Sequence, residues 1–528
     1  MQTKLDIGKS SNIKTNAENM AKHHKEISVS EFFLKNRHLL GFDNPRKALL
    51  TTVKEAVDNS LDAAEEAGIL PVIIVNMTAV KDAVDRYTIL IEDNGPGIVK
   101  ANVPRVFGKL LYGSKFHRLK CSRGQQGIGI SSAGMYGQLT TGKADRVWSR
   151  IDKNKPAEYF ELVIDTKSNE PQVLKQESVE WDKDHGTKVI IELEGKYLKG
   201  RQSVDDYLKQ VAIANPHAHI IYDSPLERLE FPAIVKQLPK EPKEIKPHPY
   251  GVELGILMKM LKDTKARNLA GFLKSDFCRV SSKVAKEICD KAKLYVNARP
   301  SRIALQEVDA LYRAIQETKI MSPPTDCLVP IGEDILVKGL KKEISADFYA
   351  AVTRPPSVYR GNPFQIEVSI AYGGDIPADN LVKILRFANR VPLLYQQSAC
   401  ASYNAVLNTA WRNYNLSQSK GALPIGPVVI MVHMSSVWVP FTSEAKEAIA
   451  SYPEIIKEMK LALQECGRKL GLHIRSVKKS QQEAKKKGYI EKYLPHIGIG
   501  LKEILGFSDK DEAKLLETLK DVLERSRQ

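Results

Sequence analysis

KEAVDNSLDAA, residues 54–64, is the stretch from which the fold of this chain can be worked out. On a helix of about 100° per residue, Glu55, Asn59 and Asp62 fall within about 80° of arc. Three apolar residues lie on the opposite side of that helix: Val53, Val57 and Ala64. Taken alone, the pattern is typical of a solvated face over a buried one. An Asn one turn after a Glu also suits a site in which an amide oxygen ligates Mg²⁺ and a carboxylate polarises a water.

The next informative stretch is a predicted strand that ends on an acid and two glycines. Residues 87–92 (YTILIE) predict the strand, and residues 93–97 (DNGPG) follow at once. An ordinary Asn-Gly turn would close a hairpin, but here the chain continues into a polar helix with no return strand. The carboxylate of Asp93 at a strand end can accept the exocyclic amine of adenine, and Gly95 and Gly97 leave room for a flat base.

A glycine-rich loop, RGQQGIGI at residues 123–130, runs into residues typical of a helix start. Backbone N–H groups of such a loop, at the positive end of a helix, form a cradle for anions. Two rival loop patterns fail. A dinucleotide motif needs glycine at Ser132, and the Walker-like residues 137–144 (GQLTTGKA) end on Ala144, which lacks the hydroxyl that Mg²⁺ requires. Downstream, Thr187 in residues 185–188 (HGTK) either lends a hydroxyl to a nucleotide or simply starts a strand.

The ordered set E-x-x-x-N, D-x-G-x-G, G-x-x-G-x-G and G-T-x-V resembles the GHKL ATPases, which share the Bergerat nucleotide fold. This resemblance implies ATP and Mg²⁺ as cofactors, with Glu55 as the general base, Asn59 as the Mg²⁺ ligand and Asp93 as the adenine acceptor. Ser114 and Lys115 match family positions that also approach the nucleotide. The resemblance further implies a lid around the phosphates, formed by Arg123, Gly124, Gln125, Gln126, Gly127, Ile128, Gly129 and Ile130.

The chain continues for over 300 residues beyond these motifs, and its second mixed region resembles a transducer domain. In such domains a lysine reaches the γ-phosphate, and the best match is Lys420 in residues 418–421 (QSKG), although an exposed loop lysine is the alternative. Residues 31–50, 387–400 and a helical insert at 250–300 look similar to the B subunits of type IIB DNA topoisomerases (topoisomerase VI). The insert resembles the helix–two-turns–helix module of that family.

This closer resemblance implies a set of partners. It implies a separate A subunit that cuts DNA, sequence-independent double-stranded DNA, self-dimerisation on ATP binding and an A2B2 heterotetramer. ATP-driven dimerisation would then gate the passage of one duplex through a break in another. Two alternatives stay open: a mismatch-repair-type ATPase with the same site and transducer, and a chaperone or clamp that acts on proteins without DNA.

Composition agrees with a DNA partner but does not require one. Among 528 residues, Lys and Arg outnumber Asp and Glu by 79 to 63, for a net charge of +16. Six cysteines without C-x-x-C spacing argue against a disulfide framework or a zinc site. The absence of an apolar run of about 20 residues and of a secretory signal predicts a soluble intracellular protein without a membrane partner. The DNA partner that the resemblance implies adds the expectation of a cytoplasmic, nucleoid-associated location.

The sequence predicts an α/β (α+β) architecture: a Bergerat-type GHKL ATPase sandwich, a small all-helical insert and an α/β transducer domain with a long C-terminal helix. A helix is expected at about 444–470 and another opened by Ser508, with Asp511 at capping-box spacing. The Leu-rich stripe of that last helix either packs on its own chain or docks a partner. The predicted domains are a mobile arm 1–28, ATPase 29–232, linker and helical insert 233–305, transducer 306–475 and a basic tail with its helix 476–528.

Overall fold

The computed structural model of the chain describes residues 21, 24, 26–115, 118–124, 127–443, 445–506 and 508–525. The arm predicted over residues 1–28 lies almost wholly outside the described residues. Gln125 and Gln126, which the sequence assigns to the lid, lie outside them as well.

The N-terminal part builds one mixed sheet of eight strands: β1 (Val72–Ala79), β2 (Arg86–Asp93), β3 (Asp145–Arg150), β4 (Ala157–Asp165), β5 (Glu170–Val179), β6 (Gly186–Glu194), β7 (His219–Asp223) and β8 (Arg228–Phe231). Their order is β5-β4-β3-β6-β2-β1-β7-β8. Adjacent strands are antiparallel except β1 and β7, which run parallel. Because side chains alternate along a strand, Ile73, Val75 and Met77 of β1 all enter the core.

The described residues of this part form five α-helices: α1 (Val29–Lys35), α2 (Pro45–Glu66), α3 (Val103–Gly108), α4 (Gly129–Thr141) and α5 (Val204–Ala214). At the start of α2 the side chain of Asn44 accepts the N–H of Lys47, and Pro45 occupies the first turn, where it costs no hydrogen bond. The predicted apolar face of α2 is confirmed, because its three residues are fully buried: Val53, Val57 and Ala64. Asp62 on the polar face is 6% exposed, so that face is more than a solvated surface.

A helical unit follows an irregular stretch at residues 237–249, and it confirms the helical character predicted for residues 250–300. Its helices are α6 (Leu254–Asp263), α7 (Leu269–Asp276), α8 (Ser282–Ala292) and α9 (Leu305–Glu317). They share one core, which contains Leu257, Phe272, Ile288 and Leu311. Because α9 contributes to that core, the helical packing continues past the predicted boundary at residue 305, and the division into domains stays a prediction.

The second mixed region contains α10 (Glu333–Glu343), β9 (Phe348–Thr353), β10 (Ser357–Tyr359), β11 (Asn362–Tyr372), β12 (Lys383–Ala388), β13 (Val391–Pro392), α11 (Ala401–Leu407), β14 (Ser417–Gln418), β15 (Pro424–Ile425) and β16 (Val428–Ser436). Its main sheet has the order β10-β11-β16-β12-β13, with β9 paired to β11. The strands predicted at 364–372 and 428–434 are β11 and β16, and they pair with each other.

A long helix, α12 (Pro453–Leu505), leaves this sheet. The prediction of a helix at about 444–470 is wrong at both ends. Before it, Phe441 and Ile449 form an isolated β-bridge, and Pro453 fixes the first helical turn. After it, the basic residues 478–487 continue the same helix, because Lys, Glu, Gln and Ala are good helix formers.

The last helix, α13 (Asp509–Arg525), folds back on α12. The predicted cap is confirmed: the Asp511 N–H donates to Ser508 Oγ at 3.3 Å, and the Ser508 N–H donates to Asp511 Oδ2 at 3.2 Å. The Leu-rich stripe packs on its own chain at Leu516, whose Cδ2 lies 2.8 Å from where a Cβ on Gly498 would stand. None of the helices in the described part of the chain is both long and apolar enough to cross a bilayer.

One buried acid in the N-terminal core gives this part of the fold a testable pH dependence. Asp145, at the start of β3, is 6% exposed, and burial raises the pKa of its carboxyl to about 8. The folded protein therefore keeps Asp145 protonated at neutral pH, whereas the unfolded chain ionises it above about pH 4. Stability from this group is present at low pH and is lost as the pH rises from about 4 through 8.

We expect Asp145→Asn to be more stable than wild type, by a margin that grows by about 1.4 kcal/mol for each pH unit across this window. Thermal melting of both proteins between pH 5 and pH 8 measures that margin as a difference between two pH profiles. Parallel profiles would show that the Asp145 carboxyl keeps an ordinary pKa in the fold.

Candidate active site

A cavity of about 540 Å³ lies between α2, the end of β2 and the start of α4. We call residues 123–130 the lid. The cavity is large enough for a nucleotide, and apolar side chains such as Ile98 and Phe107 form part of its wall. Most predicted site residues line it: Glu55, Asn59, Asp93, Gly97, Ser114, Lys115, Gly124, Gly127, Ile128, Gly129, Ile130 and Thr187.

Asp93 is held at one end of the cavity by three donors. Its Oδ2 accepts the Ser60 hydroxyl at 2.7 Å, and its Oδ1 accepts the N–H groups of Gly95 at 2.9 Å and Thr187 at 3.2 Å. Burial raises the pKa of Asp93 and outweighs these hydrogen bonds, which act in the opposite direction. A carboxylate has about four lone-pair positions, so Asp93 retains one for an exocyclic amine.

We expect Asp93→Asn to weaken ATP binding by about 10- to 100-fold, because a hydrogen bond to a charged acceptor contributes about 1.5–3 kcal/mol. Titration with a fluorescent ATP analogue measures the affinity. The same titration with the guanine analogue should show little change, since a carbonyl replaces the amine of adenine. Asp184→Asn, in an exposed loop, is the matched control. Equal losses of affinity for the adenine and guanine analogues would show that Asp93 supports the fold and does not recognise the base.

Glycines at two positions let the backbone approach the face of α2 that carries Glu55 and Asn59. A Cβ on Gly129 would stand 1.9 Å from Glu55 Oε2, and a Cβ on Gly124 would stand 3.4 Å from Asn59 Oδ1. The helix α4 begins at Gly129, and Ile128 at its N-cap supplies no side-chain hydrogen bond. The first turn of α4 therefore presents backbone N–H groups beside Glu55, as an anion cradle requires.

The position of Gly97, after Asp93, can be occupied only by glycine without strain. Its φ is +70°, and a Cβ there would stand 2.1 Å from the carbonyl oxygen of Arg150. Gly95 does not line the cavity. Instead its N–H fixes Asp93, and its carbonyl oxygen lies 2.8 Å from His185 Nδ1, so it supports the site from behind.

Arg123 also has a different place from the predicted one. Its side chain is 4% exposed and does not line the cavity. The guanidinium binds Asp62 at 2.8 Å and Glu65 at 2.7 Å on α2, and Asn215 at 2.6 Å after α5. Arg123 therefore fastens the base of the lid to α2 through its side chain.

Lys115 completes this buried ion cluster from the other side. Its Nζ lies 2.6 Å from Asp62 Oδ2 and it also lines the cavity. Burial alone would raise the pKa of Asp62, but Lys115 and Arg123 outweigh burial and hold that pKa below its ordinary value. Asp62 is thus a fixed anion that positions two cations rather than a residue for proton transfer.

The structure does not bring Lys420 to the cavity. Lys420 lies exposed in the turn between β14 and β15, whereas another lysine of the same region lines the cavity. Lys446 lines the cavity, is 5% exposed, and donates from Nζ to the carbonyl oxygen of Arg123 at 3.1 Å. It stands where the lid begins.

Lys446 and Ser60 line the cavity but are not among the site residues predicted from the sequence. Ser60 lies within the quoted stretch next to Asn59, and its position one turn beyond Ala56 on the cavity side of α2 is a signal that could have found it. Lys446 lies in residues 445–449 (AKEAI), which carry no local pattern of a phosphate site. Only the packing of the second region against α2 reveals it.

The donor set fits a magnesium ion that is bound together with a nucleotide. In the described residues no group of three or more His, Cys, Asp or Glu side chains could hold a metal. Asn59 is exposed and lines the cavity, so it can offer one amide oxygen. Mg²⁺ usually takes only one or two protein ligands and completes its shell with phosphate oxygens and water.

One cavity is lined by an acid at the end of a strand, by the E-x-x-x-N face of a helix and by the glycines of the lid. These features together define an ATPase of the GHKL type. In agreement, residues 44–196 match the family model of the histidine kinase-, DNA gyrase B- and HSP90-like ATPases. Residues 323–487 match the model of the topoisomerase VI B subunit transducer. The chain belongs to the family of topoisomerase VI B subunits, the ATPase subunits of type IIB topoisomerases.

Relatives show the same family along almost the whole chain. The B subunit of type 2 DNA topoisomerase 6 from Methanosarcina barkeri is 48% identical over 93% of this chain and 79% of its own length. The Archaeoglobus fulgidus protein of the same name is 48% identical over 92% and 80%. Among solved structures, the ATPase region of Saccharomyces cerevisiae topoisomerase II has a TM-score of 0.42 at 12% identity, over 87% of this chain and 100% of that one.

Proposed function

We propose that this chain binds ATP with Mg²⁺ in the 540 Å³ cavity and hydrolyses it to drive strand passage by a type IIB DNA topoisomerase. The observation that carries the proposal is that two parts of the chain enclose one cavity. Glu55, Asn59 and Asp93 come from the N-terminal sheet and its helices, whereas Lys446 comes from the region that matches the transducer. A nucleotide there can report its presence directly to the second region.

Each residue has a role that follows from its position. Asp93 orients the base through its remaining lone pair, and the first turn of α4 presents N–H groups to the phosphates. Glu55 accepts a proton from the attacking water, because it lies on α2 beside that turn. Asn59 would hold Mg²⁺, which neutralises phosphate charge when it is bound.

Lys446, and not Lys420, is the lysine that contacts the γ-phosphate in this proposal. Its ammonium group lies at the base of the lid on a backbone carbonyl, the kind of partner that a phosphate oxygen can replace. A cation brought to the γ-phosphate stabilises the charge that develops on transfer. Because Lys446 belongs to the second region, this contact would couple the nucleotide state to the transducer sheet.

The family supplies the proposed assembly. Two copies dimerise when ATP binds, the A subunits cut one duplex, and the closing dimer passes a second duplex through the break. The net charge of +16 favours contact with the DNA backbone rather than with particular bases. From these proposed partners we infer that the chain acts in the cytoplasm at the nucleoid.

The test is relaxation of supercoiled plasmid by the full chain together with an A subunit. We expect relaxation that requires ATP and Mg²⁺, and DNA binding that falls steeply between about 50 and 200 mM salt. Turnover that instead rises with unfolded client protein and ignores plasmid would favour an ATP-driven clamp on proteins. Relaxation without ATP would contradict the proposal outright.

A further inference from the structure

The helix α2 carries a second functional face beside its catalytic one. Lys47, Thr51 and Lys54 follow at intervals of four and three residues, so they form one stripe along the helix. This stripe faces residues 445–447 of the second region, which we call the lysine segment. Each residue of the lysine segment contacts the N-terminal part of the chain.

The two contacts that flank Lys446 both come from this stripe. Lys54 Nζ donates to the carbonyl oxygen of Ala445 at 3.1 Å. Lys47 Nζ lies 2.5 Å from Glu447 Oε1. The chain on both sides of Lys446 is therefore fixed to the helix that carries Glu55 and Asn59.

Burial makes the Lys47–Glu447 pair a strong constraint. The exposed fractions of the two side chains are 11% and 6%. The Lys47 ammonium also lies over the Tyr395 ring, 5.1 Å from its centroid, and Gln396 Nε2 donates to Glu447 Oε2 at 2.5 Å. Loss of one charge of a buried pair leaves the other without compensation, so the pair strongly favours the docked segment.

The backbone of Lys446 needs such support. Its φ is +54°, in the left-handed region that non-glycine residues seldom adopt. A strained conformation of this kind persists only where surrounding contacts hold it. The two stripe lysines supply those contacts on either side of the strained residue.

We propose that Lys47 and Lys54 are positioning residues that clamp the lysine segment onto α2 and so place Lys446 at the cavity. This inference rests on the proposed role of Lys446 in ATP hydrolysis. One rigid helix then presents both the general base and, through the clamp, the cation from the second region. Loss of the clamp slows the chemical step, whereas the base of the nucleotide keeps its contact with Asp93.

The experiment compares ATP turnover and ADP affinity in full-length variants. We expect Lys47→Met and Lys54→Met each to lower kcat by about 10- to 100-fold, the scale expected for a misplaced catalytic group. The dissociation constant of ADP, which lacks the γ-phosphate that Lys446 contacts, should stay close to that of wild type, because the contacts to the base are kept. Asp43→Asn is the matched control, because Asp43 also pairs with Lys47, at 2.8 Å, but does not touch the lysine segment. Its kcat should equal that of wild type.

The double variant Lys47→Met/Glu447→Gln separates positioning from folding. It leaves no unpaired buried charge, so its melting temperature should recover towards wild type, whereas its kcat should stay low. Recovery of kcat together with the melting temperature would overturn the proposal, since the pair would then serve stability alone. Lys47→Arg keeps the positive charge, so its kcat should stay close to that of wild type, unlike the kcat of Lys47→Met.

Variants of Lys446, alone and combined with Lys47→Met, separate the proposed role of Lys446 in hydrolysis from the proposed clamp. If Lys446→Met leaves turnover intact, the proposed role of Lys446 fails. If Lys446→Met abolishes turnover but Lys47→Met has wild-type kcat, only the clamp fails. When both proposals hold, adding Lys47→Met to Lys446→Met lowers the residual kcat no further.

Discussion

ATP turnover by a Glu55→Gln variant is expected to fall by about 10²- to 10⁴-fold, the usual contribution of a general base. ATP binding should stay close to wild type, because the adenine contact at Asp93 and the N–H groups of α4 are unchanged. The amide keeps the size and planar shape of the carboxylate but cannot take the proton of the attacking water. Steady-state turnover and analogue titration on the full chain measure the two quantities.

Neighbouring carboxylates on α2 are poor substitutes for Glu55. Asp58 is 3% exposed and accepts the Tyr207 hydroxyl at 2.9 Å, away from the cavity lining. Asp62 is bound by Lys115 and Arg123. Glu66→Gln, at the exposed end of the same helix, is the matched control and should turn over ATP normally. If Glu55→Gln turned over ATP at a rate near that of wild type, Glu55 would not be the general base.

Lys446→Met should lower kcat by about 10²- to 10³-fold, the cost of removing one preorganised group that stabilises transition-state charge. Methionine keeps most of the side-chain volume, so the packing of the lysine segment against α2 is retained. The fall should appear mainly in kcat, because the cation acts on charge that develops during transfer.

The matched control is Lys420→Met, which removes an exposed lysine from the same region. Its turnover should stay within about twofold of wild type, as is usual for a surface substitution. If Lys420→Met were the inactive variant and Lys446→Met the active one, the sequence prediction would stand and the geometric assignment would be wrong.

The parts of the site that sequence could predict are those with local signals. The faces of α2 follow from the 3.6-residue period, and residues 93–97 and the lid follow from the need for glycine where backbone meets ligand or side chain. In each case a residue type is required by its own stretch of chain. Each signal alone left another interpretation open, and the resemblance of the ordered set to the GHKL ATPases is what predicts that Glu55, Asn59, Asp93 and Gly129 share one site. All four line the cavity.

The parts that sequence could not predict depend on contacts between distant segments. Arg123 lies in the lid by sequence, but acceptors on α2 and directly after α5 hold its guanidinium away from the cavity. Lys446 reaches the cavity because the second region packs on α2, which no motif around it encodes. Lys420 had the more suggestive setting, a glycine turn before a strand, yet the fold leaves it exposed.

The long helix shows a related limit. Polarity changes near residue 470, where the helix leaves its own core, and a change of this kind predicts a helix end. Helix propensity in the basic stretch is high, however, and α12 continues to Leu505 even through Pro495. Burial and helix formation are separate properties, and only the first changes at that point.

The most direct test of the central claim is a crystal structure of the full chain with Mg²⁺ and a non-hydrolysable ATP analogue. We expect the adenine amine on Asp93, the metal on Asn59, and the γ-phosphate within hydrogen-bonding distance of Lys446 while Lys47 and Glu447 remain paired. A γ-phosphate contacted by Lys420, or a nucleotide bound without any residue of the second region, would contradict it.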